Sequence, residues 1–494
     1  MNYYSTRSMG GGLPVSAAEA IKRGLAADGG LYLPERVPAL SRADFDALCA
    51  MNYPERAAKI LSLYLEDYDP AALLDDCRAA YAEERFPGGA APVRSLGDKL
   101  YMLELWHGPT AAFKDMALQI MPRLLSRALS MTDEKLLAHI LVATSGDTGK
   151  AALEGYRDVD GVKITVFYPV DGVSAMQKRQ MQTTRGSNVN VVAVRGNFDD
   201  AQNGVKAIFA DKALAGKAHE NGFFFSSANS INWGRLAPQI VYYISAYCDL
   251  VNAGAVRFGE EVNIAVPTGN FGNIFAAYLA REMGLPVRRL ICASNRNKVL
   301  TDFIRTGRYD RTREFYKTIS PSMDILISSN LERLLSVLVG PETCSALMEE
   351  LKTTGRYDAP ADLAEKIRAV FSGYYLDDEE TKAEIAAAWA EKGVLIDPHT
   401  AVGLGAVKRY RKETGDGAPV ILASTASPYK FAPAVADALA LTDRAEGFAL
   451  LDQLSLATGT EIPAPLEEAA RLPVRFELVI DRDEMPSVPF EIGG

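Results

Sequence analysis

The spacing of apolar positions divides this chain into a helical opening, a long alternation of short apolar runs with amphipathic stretches, and a charged block that follows it. In the first 95 residues the patterns AAEAIKRGLA at 17–26 and FDALCAMNY at 45–53 predict short helices, and the turn-rich FPGGAAP at 86–92 marks a boundary. Beyond it, an apolar run at 139–144 precedes a helical stretch, VKITVFYP at 162–169 precedes SAMQKRQMQTTR, and VNVVAVRG at 189–196 precedes DDAQNGVKAIFADKAL. FFFSSAN at 223–229, a long helix through LAPQIVYYISAYCDLV, and the runs VNIAVP and VRRLICASN at 287–295 continue the pattern. Such alternation predicts an α/β fold of parallel sheets covered by helices on both faces. Residues 298–395, which include LDDEETKAEIAAAWAEKG, are expected to be a mostly helical insertion whose DDEETK run is a solvated face.

Composition narrows the function classes. The chain has 494 residues, 48% of them apolar, enough for two or three domains with sizeable cores. Its 63 acidic against 53 basic residues give a net charge of −10, which argues against a nucleic-acid footprint and requires any anionic substrate to be caught by local groups. The five cysteines, Cys49, Cys77, Cys248, Cys292 and Cys344, are scattered and never form a CxxC pair, which fits a reducing compartment and offers no thiolate metal site. His107, His139, His219 and His399 show no metal-ligand spacing, so no metal is expected. No run reaches the roughly 18 uncharged apolar residues of a membrane span, and the opening MNYYSTRSMGGGLP has no basic stretch followed by an apolar core. A cytoplasmic protein without a membrane or nucleic-acid partner is expected.

Three strings carry candidate chemistry. HGPTAAFKD at 107–115 sets Lys114 among small and apolar residues; an ammonium partly desolvated there loses its proton more readily, and the neutral amine can condense with an aldehyde. The alternative is a snorkelling surface lysine with Asp115 as its partner. PTGNFGNIFAAYLA at 267–280 combines strand end, glycine turn and helix start, an anion cradle in which Gly269 and Gly272 allow close approach and the helix N-terminus near Asn273 offers free N–H groups. A tight turn required only for steric reasons would look alike. LASTASPYKF at 422–431 ends an apolar run with the hydroxyls of Ser424, Thr425 and Ser427. ATSGDTGKAAL at 143–153 imitates a nucleotide-binding loop, but Thr144 and Ala151 stand where that signature needs glycine and a hydroxyl residue.

With YSTRS at 4–8 and SANSINWGRLAPQ at 227–239, these motifs resemble the threonine synthases, pyridoxal-phosphate enzymes of the tryptophan-synthase β-subunit fold type, in the expected order from about residue 3 to the 430s. The resemblance implies an N-terminal domain over 1–95, a two-lobed α/β core over 96–297 and 396–440, the insertion, and a C-terminal segment over 441–494. It implies pyridoxal 5'-phosphate as cofactor, bound to Lys114 as a Schiff base. Gly269, Asn270, Phe271, Gly272 and Asn273 would hold its phosphate, and Thr425 would face its ring nitrogen, where a hydroxyl does not keep that nitrogen protonated.

Ser145, Gly146 and Thr148 would face the substrate carboxylate, and Asn229, Ser230 and Arg235 the leaving phosphate, with Arg235 the planar donor fork. The implied reaction is that of O-phospho-L-homoserine and water giving L-threonine and phosphate, in a monomer or small homo-oligomer. A different pyridoxal-phosphate lyase or dehydratase, or a non-catalytic binder of an amino-acid phosphate, remains the alternative. Asp147 stands where many relatives of the wider fold type carry asparagine, and it would repel an anionic substrate unless turned onto backbone donors. Lys150 and Lys430 are taken as structural, His107 as a satisfied structural histidine, and Ser5, Thr6 and Arg7 as pins for the N-terminal region.

Overall fold

A computed structural model of the chain describes residues 1–8, 13–170 and 172–491, apart from the Asp199 side chain; parts of the N-terminal and C-terminal segments named above lie outside these residues. Two sheets organise the molecule. The larger has six strands in the order Phe371–Tyr375, Val287–Ser294, Val262–Pro267, Val420–Ser424, Leu100–Glu104 and Val93–Ser95, parallel except for the last. The smaller has five parallel strands, in the order Val479–Ile480, Val189–Val194, Val162–Pro169, Leu137–Ala143 and Phe223–Ser226. Residues of Val262–Pro267 are buried throughout, the signature of a strand covered on both faces.

Helices cover these faces because their apolar stripes have nowhere else to go. Pro238–Asn252 is buried along nearly its whole circumference, so it is a core helix, and each of its large side chains gains roughly 1.5–3 kcal/mol from burial. The N-terminal helices Arg42–Ala50 and Tyr53–Ser62 open on capping boxes at Ser41 and Asn52 and pack on it within one continuous apolar core. The strands Tyr3–Ser5 and Tyr32–Pro34 pair antiparallel beside them.

Two features depart from the apolar pattern. Leu100–Glu104, a short central strand, follows Gly97 and pairs with Val420–Ser424 in register. The stretch 298–395 is largely helical, yet it also supplies Phe371–Tyr375 as the edge of the six-stranded sheet, because this short run directly continues the helix Ala361–Val370 alongside Val287–Ser294. The last segment likewise returns to the smaller sheet through Val479–Ile480. No helix among the described residues is long and apolar enough to cross a membrane.

Candidate active site

The carboxyl ends of the two sheets face one cavity, where an open α/β sheet places its ligands. Phe113, Lys114, Ser145, Thr148, Asn229, Ser230, Arg235, Gly269–Asn273 and Thr425 all line it. Gly146 sits between the lining residues Ser145 and Thr148; its N–H donates to Thr144 Oγ1 at 2.9 Å, and its φ of 136° turns the chain into the helix Asp147–Tyr156. A Cβ at Gly146 would fall 2.3 Å from the Gln177 side chain.

Lys114 is positioned by a strip pinned across the site. Phe113 N–H donates to Thr425 O at 2.8 Å, Ser427 N–H donates to Ala111 O at 3.0 Å, and Ala112 bridges Ala426, so the lysine turn and the strand-end hydroxyls are one unit. Lys114 Nζ lies 4.5 Å from the centre of the Phe113 ring and 3.9 Å from Asp147 Oδ2. Burial pulls its pKa down to about 8, against the opposing pull of Asp147, with Arg235 and Lys430 adding to the fall. Asp115 is not its partner. That carboxylate accepts from Thr110 N at 2.8 Å and Thr110 Oγ1 at 2.7 Å, and burial raises its pKa to about 6.

The glycine turn forms a cradle, though for a different reason at each position. Neither Gly269 nor Gly272 has a positive φ; Phe271 does, at 62°, just before the helix Gly272–Glu282. Gly269 is required by space, since a Cβ there would stand 2.7 Å from Ser322 O. The first turn of the helix leaves N–H groups without helical acceptors, with the positive end of its dipole at the cavity. Asn273 Oδ1 accepts from the hydroxyls of Tyr242, at 2.6 Å, and Tyr243, and its buried Nδ2 has no partner among the described residues. An unmet buried donor beside free helix N–H groups fits a phosphate.

Arg235 is nearly buried, and no carboxylate among the described residues pairs with it. Its guanidinium donates to Ala228 O at 2.8 Å and Thr148 Oγ1 at 3.2 Å, and burial pushes its pKa down to about 10, which still leaves it cationic near neutral pH. The short helix behind it is capped by Asn232, whose Oδ1 accepts from Gly234 N at 2.9 Å; Asn229 donates to Ala143 O at 3.0 Å and Ser230 Oγ accepts from Asn330 at 3.1 Å. Thus Asn229 and Ser230 tie the segment to both sheets' loops instead of capping the helix.

Ser424 and Ser427 have other tasks. Ser424 Oγ accepts from Trp106 Nε1 and Thr400 Oγ1, each at 3.0 Å, and Ser427 caps Tyr429 N–H, so Thr425 is the hydroxyl of the three that lines the cavity. Lys150 is engaged by Glu154 at 2.9 Å and Thr184 at 3.1 Å. Asp147 is turned onto side chains: Lys430 Nζ lies 2.7 Å from its Oδ1, Gln177 Nε2 donates at 2.9 Å and Ser322 Oγ at 3.3 Å. Burial would raise its pKa, but the two lysines outweigh it and hold the carboxyl well below its usual range.

Lys430, Ser322 and His399 were not legible as site residues. His399 lines the cavity, accepts from Ser322 N–H at 3.2 Å on Nε2 and contacts Asp397 at 2.7 Å through Nδ1. Asp397 followed by proline is a helix-start signal that would have set His399 at the first turn of Pro398–Thr414. The opening YSTRS reaches the insertion: Arg7 grips Glu332 with two bonds of 2.7 Å and Thr6 Oγ1 donates to it at 2.5 Å. Next to Glu332, the buried Arg333 donates to Ser230 O and Ile231 O, backing the Arg235 segment.

A lysine with a lowered pKa, a helix-start anion cradle and a strand-end hydroxyl on one cavity define the class. The family model described as pyridoxal-phosphate dependent enzyme matches residues 89–425. Models for the threonine synthase N terminus and the threonine synthase C-terminal region match residues 2–81 and 400–484. The chain is 40% identical over 441 residues to threonine synthase of Pseudomonas aeruginosa, covering 88% of this chain and 90% of that protein. It is 41% identical to threonine synthase-like 1 of Homo sapiens over 92% of its own length but 61% of the relative's, so it spans about three-fifths of those longer proteins. The crystal structure of pyridoxal-phosphate-bound threonine synthase from Brucella melitensis superposes with a TM-score of 0.85 at 36% identity, covering 98% of this chain and 97% of that one. This chain therefore belongs to the threonine synthase family of pyridoxal-phosphate-dependent enzymes.

Proposed function

We propose that the chain converts O-phospho-L-homoserine and water to L-threonine and phosphate. One observation carries the reading: a single cavity combines two anion sites of different kinds, a neutral helix-start cradle and the carboxylate-free Arg235, with a lysine that is partly neutral near physiological pH. Two anion sites suit two phosphates, one on the coenzyme and one on the substrate.

Pyridoxal phosphate would be attached at Lys114 and held by the N–H groups of Gly272 and Asn273, by the Asn273 amide and by the close-fitting Gly269–Phe271 turn, with Thr425 at the ring nitrogen. When bound, the coenzyme supplies an electron sink for negative charge at the substrate's Cα and Cβ. Lys114, displaced by the substrate amine, would take the proton from Cα, hand it on to the coenzyme side and so regain its lone pair, and then take one from Cβ, which it can deliver to Cγ; a pKa of about 8 suits a group that must both accept and return protons. Arg235, with Thr148 and Asn229 beside it, holds the phosphate as the Cγ–O bond breaks. A proton goes to Cγ, water adds at Cβ, and Lys114 returns a proton to Cα. Ser145 and neighbouring N–H groups orient the substrate carboxylate. Thr425 offers no negative charge to hold the ring nitrogen protonated, which favours elimination over transamination.

The test supplies O-phospho-L-homoserine to the coenzyme-loaded protein and follows threonine and inorganic phosphate together. Equal amounts should form, and none with Lys114→Ala. Threonine formation by a folded Lys114→Ala variant, or phosphate release without threonine, would overturn the assignment.

A further inference from the structure

Asp147 lies between two buried lysines at unequal distances. Lys430 Nζ is 2.7 Å from Oδ1 and has no exposed surface, whereas Lys114 Nζ is 3.9 Å from Oδ2. Lys430 also donates to Thr110 O at 2.8 Å, which fixes its ammonium under the loop that carries Lys114. The other donors to Asp147, Gln177 and Ser322, are neutral. Without Lys430 the carboxylate would be a buried charge with one ammonium in reach, that of Lys114. Losing Lys430 would also remove a repelling cation from beside Lys114, so both consequences strengthen the hold on the Lys114 proton.

We propose that Lys430 is a positioning residue: by keeping Asp147 in a buried ion pair, it prevents that carboxylate from claiming the Lys114 ammonium and leaves Lys114 free to shed its proton. The proposal rests on the assignment of Lys114 above. The charged groups facing Lys114 are Asp147 from the helix Asp147–Tyr156, Arg235 from the short helix Trp233–Leu236, Lys430 from the turn Pro428–Phe431, and Asp115 from its own helix. His399 lines the same cavity with Nε2 taken by Ser322 N–H. Its Nδ1 contacts Asp397 at 2.7 Å, and Asp115 is already engaged by Thr110. The balance therefore falls to Asp147 against Lys430 and Arg235.

The consequence is chemical. Only neutral Lys114 can add its lone pair to the aldehyde carbon of pyridoxal phosphate; the carbon–nitrogen double bond then forms as the carbonyl oxygen leaves as water with the two amine protons.

The experiment removes the coenzyme from the full-length protein and measures the rate of pyridoxal phosphate attachment, by visible absorbance, across a pH series. This readout does not involve threonine formation, so failure here is distinguishable from failure of the functional assignment. The parent should show a midpoint near 8, the value to which Lys114 is lowered. Lys430→Met should move the midpoint up by about one unit or more and slow attachment near neutral pH about tenfold. Because Lys430→Met leaves a buried charge and could fail to fold, Asp147→Asn and the double variant provide a second reading: both should bring the midpoint to the parent's value or below it. A purely structural role for Lys430 would slow attachment at every pH with the midpoint unmoved. That result, or an upward shift that persists in the double variant, would overturn the proposal.

Discussion

Arg235→Leu separates catalysis on a phosphorylated substrate from generic lyase chemistry. The substrate phosphate carries close to two negative charges, and a protein of net charge −10 repels it at long range. On the proposed function Arg235 is the compensating cation, for it is nearly buried, no described carboxylate neutralises it, and its bonds to Ala228 O and Thr148 Oγ1 fix the plane of its fork. Burial costs it some affinity for its proton, yet a pKa of about 10 keeps it charged near neutrality, so the desolvation is already met before substrate arrives. Removing a charge-assisted contact in such a site should cost roughly 2–4 kcal/mol, or about 30- to 1000-fold in kcat/KM for O-phospho-L-homoserine. Serine lacks the phosphate, and any turnover of it by the same lysine should lose far less. Steady-state kinetics of parent and variant on both compounds make the comparison. Equal losses on both would show that Arg235 only supports the fold of its loop and would refute the reasoning.

Three further outcomes follow from the same geometry. Lys114→Met should abolish turnover and raise the thermal midpoint of the coenzyme-free protein near neutral pH. Because the folded pKa of Lys114 is lowered, from 10.5 to about 8, its charge destabilises the fold below pH 8 and the penalty fades as the pH rises toward 10.5. Melting curves across that range should show the advantage of Lys114→Met shrinking, and an advantage independent of pH would contradict the desolvation argument. Thr425→Val keeps the side-chain shape and should shift the coenzyme spectrum and lower turnover; an unchanged spectrum would place the ring nitrogen elsewhere, since Ser424 and Ser427 already have partners. Gly269→Ala forces a Cβ to within 2.7 Å of Ser322 O and should weaken coenzyme retention about tenfold or more, measured by equilibrium dialysis.

Local signals revealed most of the site. Strands such as Val162–Pro169 and Val262–Pro267 are mostly apolar runs bounded by turns, and the glycine turn that follows the second lines the cavity. What was not legible depends on contacts distant in sequence. The pairing of Asp147 with Lys430 spans 283 positions, and nothing near either residue announces the other. Gly146 illustrates the converse: its close approach to Gln177 and its bond to Thr144 are visible only in the packed structure. The short strand Leu100–Glu104 escaped notice because five residues give too little periodicity, and its place is set by Val420–Ser424 beside it. Ser322 reaches the cavity from the insertion, a region whose charge pattern reads as solvated helix.

The most direct measurement of the central claim is the fate of water oxygen. In heavy-oxygen water, the account predicts one labelled oxygen in the side-chain hydroxyl of the threonine formed and none in the released phosphate, because the Cγ–O bond breaks and water adds at Cβ. Label in the phosphate would mean that the P–O bond is cut, making the protein a phosphatase toward this substrate and contradicting the mechanism built on Lys114 and Arg235.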